Sequence, residues 1–302
     1  MTAAVASRSA RSGAAGRGGP AGPAGRRRIR PTVPLSYLVA LVILAITLVP
    51  IAFVFLGGFR TNAQINSSST GLPHPWVIGN YKTILTTASF WQNLGASALI
   101  AVVATGLAVG LGSMAAFALS RYEFRLRETW YIVFAIGLLF PANVASLPIY
   151  LLLRHINLLD NPFGVALPEA AFSLPFTIII LRPFMRSIPG ELQDAAVVDG
   201  ASRLTFFVRV LLPLSRPALM TVSVLAFVSS WNAYLLPLLV FTTPSHFTLP
   251  LGVATFQSTY SQDTAAIFAY TALSMLPALA FFVLAQRRIV GGLSGLAGSV
   301  KG

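Results

Sequence analysis

The sequence predicts an all-α, polytopic membrane protein with six transmembrane helices, and three observations carry that expectation. Mean hydropathy is +0.75, with 55% hydrophobic and only 10% charged residues in a chain of 302, whereas soluble domains carry about 25% charged residues. The apolar residues come in runs long enough to cross hydrocarbon. The 21 Lys and Arg sort by side of the membrane once those runs are placed.

Residues 1–33 are mostly Ala, Gly, Ser, Pro and Arg, with seven Arg and no acid, the composition of a disordered basic tail. A transit peptide shares that composition. Leu35 to Gly58 is a charge-free, mostly apolar run of 24 residues, about 36 Å as a helix. A signal-peptide core is about half as long, so this run reads as an uncleaved first span. Five further spans are expected near 91–119, 129–152, 164–185, 217–240 and 266–286. Pro141, Pro148, Pro162, Pro168 and Pro175 interrupt or flank the third and fourth, and proline in membrane helices predicts kinks rather than breaks.

With the N-terminus cytoplasmic, 18 bases face that side: seven in the tail, Arg121, Arg125 and Arg127, then Arg182, Arg186, Arg203, Arg209 and Arg216, then Arg287, Arg288 and Lys301. Only Arg60, Lys82 and Arg154 face the other. That asymmetry places both termini in the cytoplasm of a multi-pass plasma (inner) membrane protein. It also accounts for the net charge of +13 as a topology signal, leaving no argument for nucleic-acid binding.

Inside the spans the only ionisable residues are Glu169 and Arg182, near the two ends of the fourth. Ionisable side chains at bilayer depth mark proton relays and voltage sensors, so a proton-coupled carrier or an ion pump is disfavoured. Neutral polar residues are present: Asn143, Ser146, Ser173, Thr177, Ser229, Ser230, Trp231, Asn232, Tyr234 and Tyr270. Taken singly, each is better explained as glue between helices. Together, Asn143, Ser146, Trp231, Asn232 and Tyr234 suit a path for a neutral, hydroxyl-rich solute, because an aromatic face beside amides matches a sugar. Gly106 and Gly110 form a GxxxG that permits close helix packing.

Enzyme readings find no support. There is no Cys, hence no thiolate site. His74, His155 and His246 lie far apart in loops without metal spacing. Gly292-Leu293-Ser294-Gly295 is not the Gly-x-Ser-x-Gly of a nucleophile elbow. No P-loop occurs, so the chain does not bind ATP by one. No catalytic residue, metal or cofactor is expected.

The most informative stretch is 187–217, SIPGELQDAAVVDGASRLTFFVRVLLPLSRP. Pro189 suits a first helical turn and Glu191 complements the helix N-terminus. Leu192, Ala195, Ala196 and Asp199 share one face with two small residues. Gly200 offers a left-handed stop. Ser202 caps a second helix with Leu204, Phe207, Val208 and Leu211 on one side, ending before Pro213. Such an elbow suits docking into a protein groove, and an amphipathic connector on the membrane surface has similar patterning.

Asp194-Ala195-Ala196, then Gly200, then Val210-Leu211-Leu212-Pro213 resembles the EAA loop of ABC-importer permeases, EAA-x3-G-x9-I-x-LP, with Asp for the leading Glu and Val for Ile. Asn80-Tyr81, Asn93-x3-Ser97, Ala116 to Arg121, Leu147-Pro148-Ile149-Tyr150, Trp231-Asn232, Pro277 and the C-terminal Gln286-Arg287-Arg288 to Gly302 are similar to the carbohydrate branch. The resemblance covers about 35–302 and identifies the chain with the second, six-span permease of maltose-type sugar importers. It implies the type I ABC importer permease fold and a homologous second permease. It also implies two separate ATPases, each receiving a coupling helix, an extracytoplasmic solute-binding protein, and a neutral sugar as cargo. By it, Asp194, Ala195, Ala196, Asp199, Gly200 and Pro213 form the ATPase-coupling element, and the tail 298–302 reaches the ATPases. Ala233 departs from the acid that many relatives carry after Trp-Asn. The expected division is a tail 1–33, a first helix and outer loop 34–92, a transmembrane domain 93–286 carrying loop 187–217, and a tail 287–302. Two rivals stand beside the sugar permease: a permease for another polar solute such as glycerol phosphate, and a membrane scaffold or signalling protein.

Overall fold

The computed structural model describes residues 32–68, 70–257 and 263–298. The expected basic tail falls outside these apart from Thr32 and Val33, and residues 299–302 lie outside them too. The chain divides between Leu48 and Val49 into two units, a division that falls inside the first helix, α1 (Thr32–Gly57). In the N-terminal unit Ser36 to Leu48 are exposed throughout and almost wholly apolar, as a helix surrounded by lipid requires.

The remaining unit is helical. It continues through α2 (Asn62–Ser67), α3 (Gly79–Thr86), α4 (Ala88–Arg121), α5 (Arg127–Gly137), α6 (Ala142–His155) and α7 (Pro162–Ser187). There follow α8 (Glu191–Val198), α9 (Arg203–Leu214), α10 (Arg216–Trp231), α11 (Leu235–Val240), α12 (Leu249–Gly252) and α13 (Thr264–Gly298). Four helices are long and apolar enough to cross a membrane, and six spans result if the bent pairs α5–α6 and α9–α10 each count as one.

Two expected spans are broken rather than kinked. The third turns by 95° between α5 and α6. Pro141 has no N–H and disfavours helix at Phe140, and the amides of Leu138, Leu139 and Phe140 fold back onto carbonyls only three residues earlier. Pro148, Pro168 and Pro175 stay inside helices, as expected, and so does Pro183. The fifth span, expected to run to residue 240, stops at Trp231. Continuing it would press the Pro237 ring onto the carbonyl of Ala233 four residues earlier. In the first turn of α11 the missing N–H costs nothing. The Asn232 side chain meanwhile donates to Val228 O at 2.8 Å and holds the α10 terminus.

The core is the parallel pair α4 and α7, along which Gly112 meets Thr177 and Leu119 meets Arg182, with α10 against both and α13 outside it. Ala101, Ala104, Ala108 and Ala116 are buried along α4, and between them Gly112 permits the closest approach: a Cβ there would lie 2.6 Å from Thr177 Cγ2. Gly106 and Gly110 have open space where a Cβ would stand, so the GxxxG motif packs no helix among the described residues. Gly112→Val is therefore expected to cost about 1–3 kcal/mol by overpacking, while Gly106→Val leaves the solubilised chain's melting temperature unchanged. Equal melting of the two variants would refute this packing assignment.

The residues before the second span have structural work. Asn80 donates from Nδ2 to the carbonyls of Gly58 and Arg60, each at 2.9 Å. Tyr81 donates to Phe55 O at 2.6 Å, and burial pushes its hydroxyl up to about 12. Asn93 lies 3.0 Å from the Tyr270 hydroxyl, and Ser97 Oγ accepts from Leu249 N at 2.7 Å. These contacts hold α12 and α13 against α4.

Candidate solute cavity and docking elbow

Both helix breaks open onto one cavity of ≈ 350 Å³. The break after α5 brings Phe140 and Asn143 to it, α6 adds Ser146, and the break after α10 adds Ala233 and Tyr234. From α7 come Glu169 and Ser173, one turn apart on one face, and from α10 Ser229. Non-helical backbone at membrane depth is tolerated where it lines a cavity, and broken helices converging on one site are how carriers build solute sites.

The five residues grouped by sequence as a path divide between two places. Asn143, Ser146 and Tyr234 line this cavity. Trp231 and Asn232 border a separate, mostly apolar cavity of ≈ 280 Å³ with Val253, Met275 and Ala278. Trp231 is buried, donates to Ser274 O at 3.3 Å and stacks on Phe227 with centroids 5.5 Å apart, which makes it a core residue. Sequence reasoning left Glu169 out of the path. The available signals were its place as the only acid inside a span and its spacing of four from Ser173.

The far ends of α6 and α7 are tied to the segment after α11. Asp160, with φ 54°, donates its amide to Val240 O at 2.9 Å. Its carboxylate accepts from Thr242 N at 3.0 Å, Thr243 N at 3.1 Å and Thr243 Oγ1 at 2.6 Å, with His246 Nδ1 at 3.2 Å. Burial pushes this carboxyl up, but the Thr243, Thr242 and His246 hydrogen bonds outweigh it and hold it at about 2.

At the other end of α7 lies the elbow. Asp194 and Ala195 are exposed, and Ala196 is half-buried against the cluster containing Phe206 and Phe207. Asp199 ends the helix, and Gly200 takes φ +78°, with its N–H on Val197 O at 3.0 Å and Ala201 N on Ala196 O at 2.8 Å. This is the left-handed stop expected of Gly200. Ser202 caps α9 by accepting from Thr205 N at 3.2 Å. Two details depart from expectation. Pro189 precedes the helix, which starts at Glu191 after Gly190. The second helix runs through the half-buried Pro213 to Leu214. A π-turn over Phe207–Leu211, closed by Leu212 N on Phe207 O, shifts the bonding register just ahead of Pro213 and accommodates its ring.

The elbow is anchored to the spans. Arg121 donates to Met185 O at 2.9 Å and Ile188 O at 2.8 Å, and Arg203 lies over the Tyr122 ring at 4.9 Å. Arg182 is buried, donates to Leu119 O at 3.1 Å, pairs with Glu128, and sits 4.0 Å over the Tyr131 ring. Its charge is committed to joining α4, α5 and α7. Outward, Val198 is 87% and Leu204 66% exposed, so the apolar side of the elbow has no cover among the described residues. Among the described residues no group of three His, Asp or Glu could hold a metal.

A polar cavity between broken helices, with an exposed elbow anchored at the end of the same frame, defines a membrane transport subunit. Residues 108–293 match the family of binding-protein-dependent transport system inner membrane components. The chain belongs to that family, the permease subunits of ABC importers, which are transport components rather than enzymes. It is 38% identical to a putative ABC transporter permease protein of Caldicellulosiruptor sp., over 84% of this chain and 92% of the relative. It is 35% identical to a diacetylchitobiose uptake system permease protein of Streptomyces coelicolor, over 82% of this chain and 83% of that one. Its fold matches a bacterial ABC transporter involved in import of the acidic polysaccharide alginate, with a TM-score of 0.74 at 22% identity, covering 86% of this chain and 97% of the other.

Proposed function

We propose that this chain forms half of the translocation path for a neutral saccharide in an ATP-driven importer. It pairs with a homologous second permease, receives solute from an extracytoplasmic binding protein, and couples to a separate ATPase through Asp194 to Pro213. The observation that carries the reading is the elbow: a helix closed by Gly200, fixed to the spans through Arg121 and Arg203, yet turning an apolar face outward with no partner among the described residues. An exposed apolar patch of this kind marks a protein contact. The saccharide assignment draws on the hydroxyl and amide lining of the cavity and on the relative that takes up diacetylchitobiose. A phosphate cargo such as glycerol phosphate is disfavoured because no cation lines the cavity.

Binding-protein-dependent sugar uptake by reconstituted vesicles tests the function and separates it from a scaffold, which moves no solute. Topology is tested by reporter fusions. Fusions at Gly71 and Ser258 should report outside, and at Arg125 and Ser202 inside, because 18 of 21 bases fall on one side. A cytoplasmic signal from Gly71 contradicts six spans with both termini inside.

A further inference from the structure

We propose that Glu169 is the selectivity residue of the cavity, its carboxylate accepting hydrogen bonds from hydroxyl- or amine-bearing saccharides and rejecting anionic ones. The inference rests on reading the cavity as part of the transport path. Glu169 stands two turns into α7, on the half of that helix away from the elbow. It shares the cavity with the hydroxyls of Ser146, Ser173 and Ser229, the amide of Asn143 and the phenol of Tyr234. Among the described residues its carboxylate has no hydrogen-bond or ion-pair partner, and no Lys or Arg lines the cavity. Arg182, the other charged residue of the helix interior, is spent on Leu119, Glu128 and Tyr131.

An unpaired carboxylate among neutral polar groups does two things. Ionised, it is an acceptor only, and hydroxyl or ammonium donors make charge-assisted hydrogen bonds to it that are about twice as strong as neutral ones. It also imposes a negative potential on a recess walled partly by apolar side chains such as Phe172 and Leu236, where like charges repel more than in open solution. The neighbouring hydroxyls donate and accept and so fit any sugar; the carboxylate alone discriminates by charge. An acidic polysaccharide such as alginate, imported by the similarly folded transporter, would be turned away here, as would a sugar phosphate. A neutral or amino sugar would be held.

The chain has no cysteine, so Ser173→Cys places a single thiol one helical turn from Glu169, about 6 Å away. In membranes carrying the chain with its partner subunits, the labelling rates of this thiol by trimethylammonium-ethyl and sulfonato-ethyl methanethiosulfonate report the local charge. The cationic reagent is expected to be preferred, and Glu169→Gln should lower that preference about tenfold. Glu169→Asp, which keeps the charge, should retain it. An unchanged ratio in Glu169→Gln, loss of the preference in Glu169→Asp, or a thiol inert to both reagents overturns the proposal. The thiol rates are read whether or not sugar crosses, so failed uptake counts against the transport reading and an unchanged ratio against this one.

Discussion

Replacing Ala195 by Trp is expected to reduce uptake by reconstituted vesicles at least about tenfold while the chain still inserts and pairs with its partner permease. Ala195 is exposed on α8, so an indole there meets nothing inside the chain and obstructs only what docks from outside. Wedging a large ring into a packed contact costs about 1–3 kcal/mol, and 1.4 kcal/mol is a factor of ten in occupancy. Sequence alone treats Ala195 and Ala196 as equivalent probes, but Ala196 lies against the Phe206 and Phe207 cluster, so Trp there would disturb the elbow itself. Gly200→Asp is the milder variant. It has open space but a φ of +78°, which strains a side chain by about 1 kcal/mol. If the elbow lies on the membrane surface instead, a Trp at 195 is tolerated or strengthens the contact. Wild-type uptake by Ala195→Trp would decide for that alternative.

The elbow was legible in the sequence because its signals are local. A glycine that must take positive φ and a serine cap are each fixed within about four residues, and both are found where the pattern put them; the small-residue face divides, with Ala195 exposed and Ala196 packed on the Phe206 and Phe207 cluster. The long apolar runs were legible for the same reason. The two breaks were not, because hydropathy is blind to them: Leu138 to Pro141 and Asn232 to Tyr234 sit inside apolar stretches. Whether a proline kinks or ends a helix depends on what satisfies the backbone around it. The cavity was half legible. Polar residues could be listed from the sequence, but only the folded chain sends Trp231 into the core and turns Glu169 toward Asn143 and Tyr234. The GxxxG pattern shows the converse. Its spacing is right, yet the close contact falls one residue row away, at Gly112.

Gly164→Ala is expected to have the largest effect on stability of any single methyl added to the described part of the chain. A Cβ at Gly164 would lie 2.2 Å from the carbonyl oxygen of Leu158 and 3.3 Å from Val240 Cγ1. The first of these is backbone, which cannot rotate aside as a side chain can. To make room, the loop between α6 and α7 must move, and that loop is pinned. Leu158 N bonds Leu153 O at 2.8 Å, Gly164 N bonds Asn161 O at 2.9 Å, and Asp160 joins it to Val240, Thr242 and Thr243. Relief at Gly164 therefore loosens the Asp160 clasp and the α11 segment behind it, which supplies Leu235 and Leu236 to the wall of the cavity. We expect a loss at the upper end of the about 1–3 kcal/mol typical of overpacking, together with reduced uptake by the folded fraction. Asp160→Asn separates the two causes, since it weakens the clasp without any steric clash and should reproduce the transport defect with a smaller drop in melting temperature. A Gly164→Ala chain that melts and transports as wild type would show that the α6–α7 loop moves freely and that this clasp does not shape the cavity.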